Sequence, residues 1–450
     1  HQGVNDPRVM LSRDCFKLMK KRNIARALVV FYSGSHEHWR LSLVTSELDY
    51  DAKNNRIIHE FSNPRRQSFL LGPGARLATA RQKLVKAGRV QSFDDLAGRF
   101  SLEVVNREFY RRIAELFTRL VGGTRMQGGE QHSWPGLLTL PSCDDRAIKQ
   151  EFAVRLVGRI VFCQFLKEKG LVPATWLATP VEENCYHRHI EPLFFEILNT
   201  PRDKRHKTFR TPEADSIPFL NGGLFTPHAH DWYGYDDLTN SSRYLNTLTV
   251  PDEWLNDFLG LLGEYNFTID ENTPVDVDLS IDPEMLGRIF ENLLAEINPE
   301  TGETARNKTG SFYTPREIVD YMVSESLVAT LLKAVWPGDT PAQQEANAAR
   351  LRALFAWELS PEDSPAFNDN ETAAIIKALH GMRCLDPACG SGAFPMGILQ
   401  KALLALEKLD PKAEGYIRQK LERIDDDYIR AETERSLRAK GYQYLHKLSL

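Results

Sequence analysis

The sequence predicts a multidomain protein of mixed α+β and α/β class: an N-terminal α+β meander, a helical connector and the beginning of a doubly wound α/β domain. Three observations predict it. The chain has 450 residues, more than one ordinary domain holds. Its first hundred residues carry short β-branched and aromatic runs, whereas its middle carries apolar residues at helical spacing. Near the end, "LDPACGSGAF" (Leu385–Phe394) sets two glycines between a short apolar run and a helix. The expected domains are 1–125, 126–302 and 303–450.

In the first, "ARALVVFYS", "HWRLSLVT", "RIIHEFS" and "RRQSFLLG" read as four strands. Turn formers such as "SGSH" and "DAKNN" separate them, and their close spacing predicts an antiparallel meander. A helix near 103–121 follows, with Val105, Phe109, Ile113, Leu116 and Leu120 on one face and Gly122-Gly123 as its stop. In the second, "DDRAIKQEFAVRLVGRIVFCQFLKEKG" predicts a helix ending at Gly170. The segment 200–250 is loop-rich. "IDPEMLGRIFENLL" then predicts a helix with Asp282 as N-cap and Pro283 at its first position. Its stripe of Met285, Leu286, Ile289, Phe290, Leu293 and Leu294 reads as core packing.

In the third, a hydrophilic stretch leads into "SFYTPREIVDYMV", and an Ala/Glu/Asp/Asn/Pro-rich insertion (about 337–372) follows. A helix, a strand at Met382–Leu385, the glycine loop and a helix through "MGILQKALLALEKL" come next. The tail "YIRQKLERIDDDYIRAETERSLRAK" reads as one solvated helix.

Composition narrows the class. With 42% hydrophobic and 26% charged residues the chain is globular. No apolar run approaches the ~18 residues of a membrane span, and no signal peptide opens it. Six scattered cysteines (Cys15, Cys143, Cys163, Cys185, Cys384, Cys389) form no CxxC pair. That argues against a zinc site or disulfide frame and for a reducing, cytoplasmic setting without membrane partners. The chain opens on His1 and closes inside a helix-like segment, so a piece of a longer protein is expected. Residues 1–125 hold 23 Lys+Arg against 12 Asp+Glu, a net +11; the remainder, 33 against 49, carries −16. A basic N-terminal part predicts a polyanion partner.

In the loop, Gly390 and Gly392 permit positive φ and close backbone approach. The free N–H groups of the following helix favour a negatively charged ligand group. The spacing is G-S-G without a third glycine, and no Gly-Lys-Ser/Thr follows, which disfavours a P-loop hydrolase. By itself the pattern suits several nucleotide-like ligands.

Two motifs together narrow it. "DPACGSGAF" resembles motif I of the DNA amino-methyltransferases, D-P-x-C-G-S-G-x-F, which bind S-adenosylmethionine. "GSFYTPREIVDYMV", about seventy residues upstream, resembles their motif X, and this order is that of the gamma-type N6-adenine enzymes. The segments "IDPEMLGRIFENLL", "FCQFLKEKGLVP" and "FLNGGLF" look like the helical region of large fused methyltransferases, the type IIG restriction-modification and phage-exclusion enzymes. The resemblance covers roughly residues 100–450 and is weaker before that.

It implies a Rossmann-like S-adenosylmethionine-dependent domain in 303–450. The implied cofactor-binding residues are Phe312, Tyr313, Thr314, Pro315, Asp386, Ala388, Cys389, Gly390, Gly392 and Phe394. Asp386 would accept hydrogen bonds near the amino-acid or ribose part of the cofactor, Gly390 and Gly392 would make room for its methionine moiety, and Phe394 would offer an apolar contact. Cys389 reads as a small packing residue, because N-methyl transfer needs no nucleophile. Thr314, Pro315 and Glu317 form a T-P-x-E capping box whose helix start would meet the cofactor carboxylate, with Phe312 and Tyr313 beside it. Pro395 departs from the aliphatic residue of many relatives and is tolerated in a first helical turn.

The family's N-P-P-Y (or D-P-P-Y) motif does not occur in these 450 residues. The acidic strand end for the ribose hydroxyls and the target-recognition region are not assignable either. The resemblance therefore implies that no catalytic residue lies in this chain and that it does not methylate DNA alone. For the complete protein it implies DNA adenine-N6 methylation in a bacterial restriction-modification or phage-defence system, with double-stranded DNA and further defence-system subunits as partners. The alternative is a non-catalytic DNA-binding or assembly module with a relic loop.

Other candidates are weaker. Asp49, Asp51 and Lys53 resemble the D…(D/E)xK pattern of a Mg²⁺-dependent nuclease but read as a hairpin turn. Cys185, His187, His189, His228 and His230 lack good zinc spacing and read as core or surface residues, so no metal is expected. Arg40, Arg56, Arg65 and Arg66 of the meander are candidates for phosphate contact.

Overall fold

The computed structural model describes the backbone of residues 7–32, 34, 37–51, 56–127, 130–220, 223–236, 238–268, 276–281, 314, 316–357, 359, 364–387, 389, 392–422, 424–440, 442, 445 and 446. The side chains of 7–13, 47–51, 56–64 and 419 lie outside this description. The chain is mixed α+β.

Helix α1 (Pro7–Arg22) precedes an antiparallel meander of β1 (Arg26–Tyr32), β2 (Trp39–Asp51) and β3 (Arg56–Leu71). The four expected strands are three, because 56–62 and 65–72 run on as one. The register of β2 against β3 shifts between Thr45 and Glu47, opposite Asn63-Pro64. Such an irregularity accommodates Pro64, which has no N–H for the ladder. Alternation gives the sheet two unlike faces. Leu41, Leu43, Phe69 and Leu71 pack under Ala80, Leu84, Phe93, Leu96 and Phe100. Those residues come from a helical stretch, Ala78–Ala80 continuing as a π-helix over Arg81–Lys86, and from α2 (Phe93–Arg99) with its vicinity. The opposite face carries Arg40, Ser42, Arg66 and Ser68, with Ser42 and Ser68 hydroxyls 2.8 Å apart.

Helix α3 (Leu102–Val121) buries Val105, Phe109, Ile113, Leu116 and Leu120, as its spacing predicts. It stops at Gly122, whose φ is +86° and where a Cβ would sit 2.9 Å from the Pro135 carbonyl oxygen. A hairpin of β4 (Gly123–Gln127) and β5 (Glu130–Trp134) leads to α4 (Arg146–Glu168). Asp145 caps α4, and Gly170, at φ +72°, follows it. Helix α4 buries most of its circumference, including Arg159 and Gln164, and runs through the largest core, from Val105 to Ile281. Short 3-10 and π-helical turns fill 174–231. Buried arginines supply the hydrogen bonds these loops lack: Arg205 donates to the Ile197 and Ala214 carbonyls at 2.8 Å. Helix α5 (Asp252–Glu264) closes this core. Strand β6 (Asp276–Asp278) then pairs parallel with β3 and completes the order β1-β2-β3-β6. The helix expected at 282–294 lies outside the described residues.

Helices α6 (Arg316–Val335), α7 (Pro341–Leu354), α8 (Asp369–Gly381) and α9 (Ala393–Leu409) share a second core. Helix α7 falls in the expected insertion, yet it buries Ala348, Leu351 and Leu354. The expected strand Met382–Leu385 is not one: the segment is unpaired and Leu385 is 90% exposed. A strand exists only with a ladder partner, and no strand lies beside it among the described residues. The charged tail is two helices, not one, α10 (Glu414–Leu421) and α11 (Asp427–Ala439). Asp426 caps the second, and Tyr416, Ile417, Leu437 and Leu445 are buried between them. Among the described residues no helix is long and apolar enough to cross a membrane.

Candidate functional site

The glycine loop joins α8 to α9. Gly392 stands at the start of α9 with φ +86° and ψ 17°, a left-handed conformation that costs other residues roughly 1–2 kcal/mol. Its N–H donates to the Cys389 carbonyl at 2.8 Å, and its own carbonyl accepts from Met396 N at 3.0 Å. Among the described residues nothing lies within 4 Å of a Cβ built there, so the dihedral calls for glycine. In the first turn of α9 only Ala393 and Phe394 bring amides without an intrahelical partner, because Pro395 has no N–H and Met396 N bonds Gly392. Asp386 is half-buried and Cys389 exposed. Phe394 is partly buried against the α6–α9 core, so its ring serves packing. Ala388 and Gly390 lie outside the described residues.

Of the upstream motif, Thr314 is half-buried directly before α6, while Phe312, Tyr313 and Pro315 lie outside the described residues. The structure brings the two motif helices together. A Cβ at Gly397 would stand 3.0 Å from Val319 Cγ1 and 3.2 Å from Val323 Cγ2. The contact therefore lies about one turn inside the N-terminus of both α6 and α9. Two positive helix ends then stand close to one loop, a disposition that favours an anion.

A buried clasp holds this junction, and sequence reasoning missed it. Lys401 Nζ on α9 is 2.9 Å from Asp320 Oδ1 on α6 and donates to the Phe355 carbonyl at 2.8 Å. Trp357 Nε1 donates to the same Asp320 oxygen at 2.7 Å. Lys408 Nζ donates to the Leu354 and Ala356 carbonyls at 2.8 and 2.6 Å, satisfying the C-terminal end of α7. The available signal was two lysines seven residues apart on one side of an otherwise apolar helix.

Of the residues weighed for zinc, His187 sits in a buried hydrogen-bond network. His187 Nδ1 lies 2.7 Å from Glu191 Oε2 and Nε2 lies 2.9 Å from the Leu248 carbonyl. Both neighbours are acceptors in their usual forms, so the buried pair keeps a proton. Burial disfavours the His187 cation, but Glu191 and the Leu248 carbonyl outweigh it and raise its pKa; burial raises that of Glu191. Burial, aided by Asp252 and Glu182, pushes the Cys185 thiol up to about 11. His189 lies 3.6 Å from Glu182, and His228 Nδ1 accepts from the His230 amide. Among the described residues no group of three or more His, Cys, Asp or Glu could hold a metal ion. Asp49 and Asp51 lie in β2, while Lys53 is outside the described residues.

The meander arginines divide by face. Arg40 makes a two-pronged ion pair with Asp278, both contacts 3.3 Å. Arg66 is fully buried with its guanidinium 4.9 Å from the Phe31 ring centroid. Both point to the same polar face, where Arg40 is partly exposed and Arg66 is buried. Arg65 points the other way and is exposed; the Arg56 side chain lies outside the described residues.

No protein-family model and no solved structure matches the chain. It is similar to a Methanocaldococcus jannaschii protein named, provisionally, as a type II restriction enzyme and methyltransferase. The two are 30% identical over 304 residues, which cover 63% of this chain and 24% of the relative. The chain thus spans about a quarter of the relative's length.

Proposed function

We propose that this chain is the N-terminal and central portion of an S-adenosylmethionine-dependent DNA adenine-N6 methyltransferase of a restriction-modification or phage-defence system, acting on double-stranded DNA in the cytoplasm. The observation that carries the reading is the junction at Gly397, where both motif helices start beside one glycine turn. The similarity to a restriction enzyme and methyltransferase supports the same class. The three domains read from sequence, 1–125, 126–302 and 303–450, are part of the proposal.

The residues present suit the cofactor. The amides opening α9, together with Thr314 and the start of α6, offer donors and a positive potential to its carboxylate. Asp386 offers an acceptor to its amino or ribose hydroxyl hydrogens. Gly392, with no described residue within 4 Å of a Cβ built there, leaves room for the methionine moiety. When bound, S-adenosylmethionine supplies the methyl group that the adenine amine takes. The chain's own residues bind and orient, and the Lys401–Asp320 clasp keeps the two helix starts in register. Base positioning falls to N-P-P-Y, which is expected elsewhere in the complete protein.

Calorimetric titration of the 450-residue chain with S-adenosylmethionine and its demethylated product tests this. Saturable binding is expected, at least tenfold weaker in Asp386→Ala, with no heat from ATP. A folded chain that takes up neither compound, or binds ATP equally, would overturn the reading.

A further inference from the structure

We infer that an exposed basic ridge formed by Arg81, Lys86 and Arg89 is a contact surface for the phosphate backbone of duplex DNA; only the choice of DNA as the polyanion rests on the function proposed above. From residue 61 to residue 93 there is no Asp or Glu, while seven Lys and Arg occur: Arg65, Arg66, Arg76, Arg81, Lys83, Lys86 and Arg89. The structure sorts them. Arg66 is buried, Arg76 pairs with Glu168 at 2.5 Å, and Lys83 lies 3.7 Å from Glu108. Arg65, Arg81, Lys86 and Arg89 are exposed, and no ion pair among the described residues uses them. The last three belong to one short segment, the π-helix Arg81–Lys86 and the turn that follows it.

That segment is built to hold its shape. A π-helix closes its hydrogen bonds at i→i+5, so Arg81 and Lys86 lie on one side of it. Gly88 turns the chain at φ +74°. The buried Arg99 then reaches up from α2 and donates to the carbonyls of Ala87, Gly88 and Arg89 at 3.3, 2.7 and 3.2 Å. Asp95 steadies the same guanidinium at 2.9 Å. The ridge is therefore ordered before anything binds, which lowers the ordering cost of association.

A rigid row of cations fits a regular array of phosphates, which positions a protein on DNA without reading its sequence. An anionic membrane fits less well. The apolar side chains exposed beside the ridge are Val85 and Val90, which are small anchors for an interface that prefers Trp, Phe and Leu. The cations of the α1 terminus, Lys20, Lys21 and Arg22, provide a comparison. They belong to the other face of the sheet, where Cys15 of the same helix lies near the Arg66 guanidinium.

The test is duplex binding by the whole chain, followed by fluorescence anisotropy over a range of salt. Arg81→Ala/Lys86→Ala/Arg89→Ala should weaken binding to duplexes of unrelated sequence alike. It should also make the slope of log affinity against log salt shallower by about 2–3, near 0.9 per lost phosphate contact. Lys20→Ala/Lys21→Ala/Arg22→Ala should leave that slope unchanged. All six side chains are exposed, so both variants should melt like the parent. Wild-type affinity and slope in the ridge variant, equal losses in both variants, absence of duplex binding by the parent, or a preference for single-stranded RNA or phosphatidylserine vesicles would each overturn the ridge. Cofactor titration stays separate: a chain that binds duplex through the ridge and ignores S-adenosylmethionine overturns the methyltransferase reading alone.

Discussion

The core around α4 and the core shared by α6 to α9 are packed by the same rules but differ in what they leave uncovered. In the first, Trp254 is fully buried, stacks on Phe258 at 5.1 Å and donates its indole N–H to the Leu116 carbonyl at 2.8 Å. Asp231 holds Arg155 and Arg159 at 2.9 and 2.8 Å, and these contacts are closed inside the fold. In the second, Lys401 and Lys408 close the interior just as fully, but the loop at its edge stays open. Leu385 and Cys389 are exposed, and Gly392 keeps a left-handed turn that no neighbour enforces. A single exposed leucine is ordinary. A left-handed glycine at a helix start near a second helix start is the feature on which the proposed cofactor site rests. The first region shows what the chain does to be stable, and the second shows where it departs from that.

The comparison can be broken or sharpened by substitution. The largest effect is expected in the closed core. Trp254→Ala removes the stack and the hydrogen bond together and should cost about 3–5 kcal/mol by denaturant unfolding. A loss under about 1 kcal/mol would mean the core is not closed as described. In the second core, Lys401→Met should cost about 1–3 kcal/mol, because it strips the Phe355 carbonyl and Asp320 of a buried partner. Lys401→Arg, which keeps the charge, should recover part of it.

Gly392→Ala comes next, at roughly 1–2 kcal/mol of backbone strain. Its cofactor affinity should fall further than its melting temperature implies, since the turn is part of the site; parallel losses would make the glycine merely structural.

The smallest effect is a slope with pH. The His187–Glu191 pair holds a proton more tightly in the folded state than a free histidine does. Its contribution is complete below the ordinary histidine value of about 6.5 and is lost as pH rises through the raised folded value. Unfolding followed from pH 6 to 9 should show that decline, and His187→Gln should flatten it.

Much of this was legible in the sequence, and the failures share a cause. Helices α3 and α4 follow from apolar spacing and their glycine stops, and α9 from apolar spacing alone, because helical periodicity is local. Strand reading failed where partners decide. The run 382–385 looks like a strand but finds no ladder, while the break at Asn63-Pro64 vanishes because β2 continues opposite it. Period-two alternation shows that Arg65 and Arg66 face opposite ways without showing which side is covered. At the site, the Gly392 turn was readable from G-S-G before a helix. Gly397 was not, since a glycine inside a helix reveals its purpose only when Val319 and Val323 are seen against it.

Hydrogen exchange of the whole chain with and without S-adenosylmethionine probes the junction of the two motif helices. Amide exchange should slow in two separate stretches at once, 386–397 and 314–319, with the α4 core unchanged. Protection in one stretch without the other, or in neither at saturating cofactor, would contradict it.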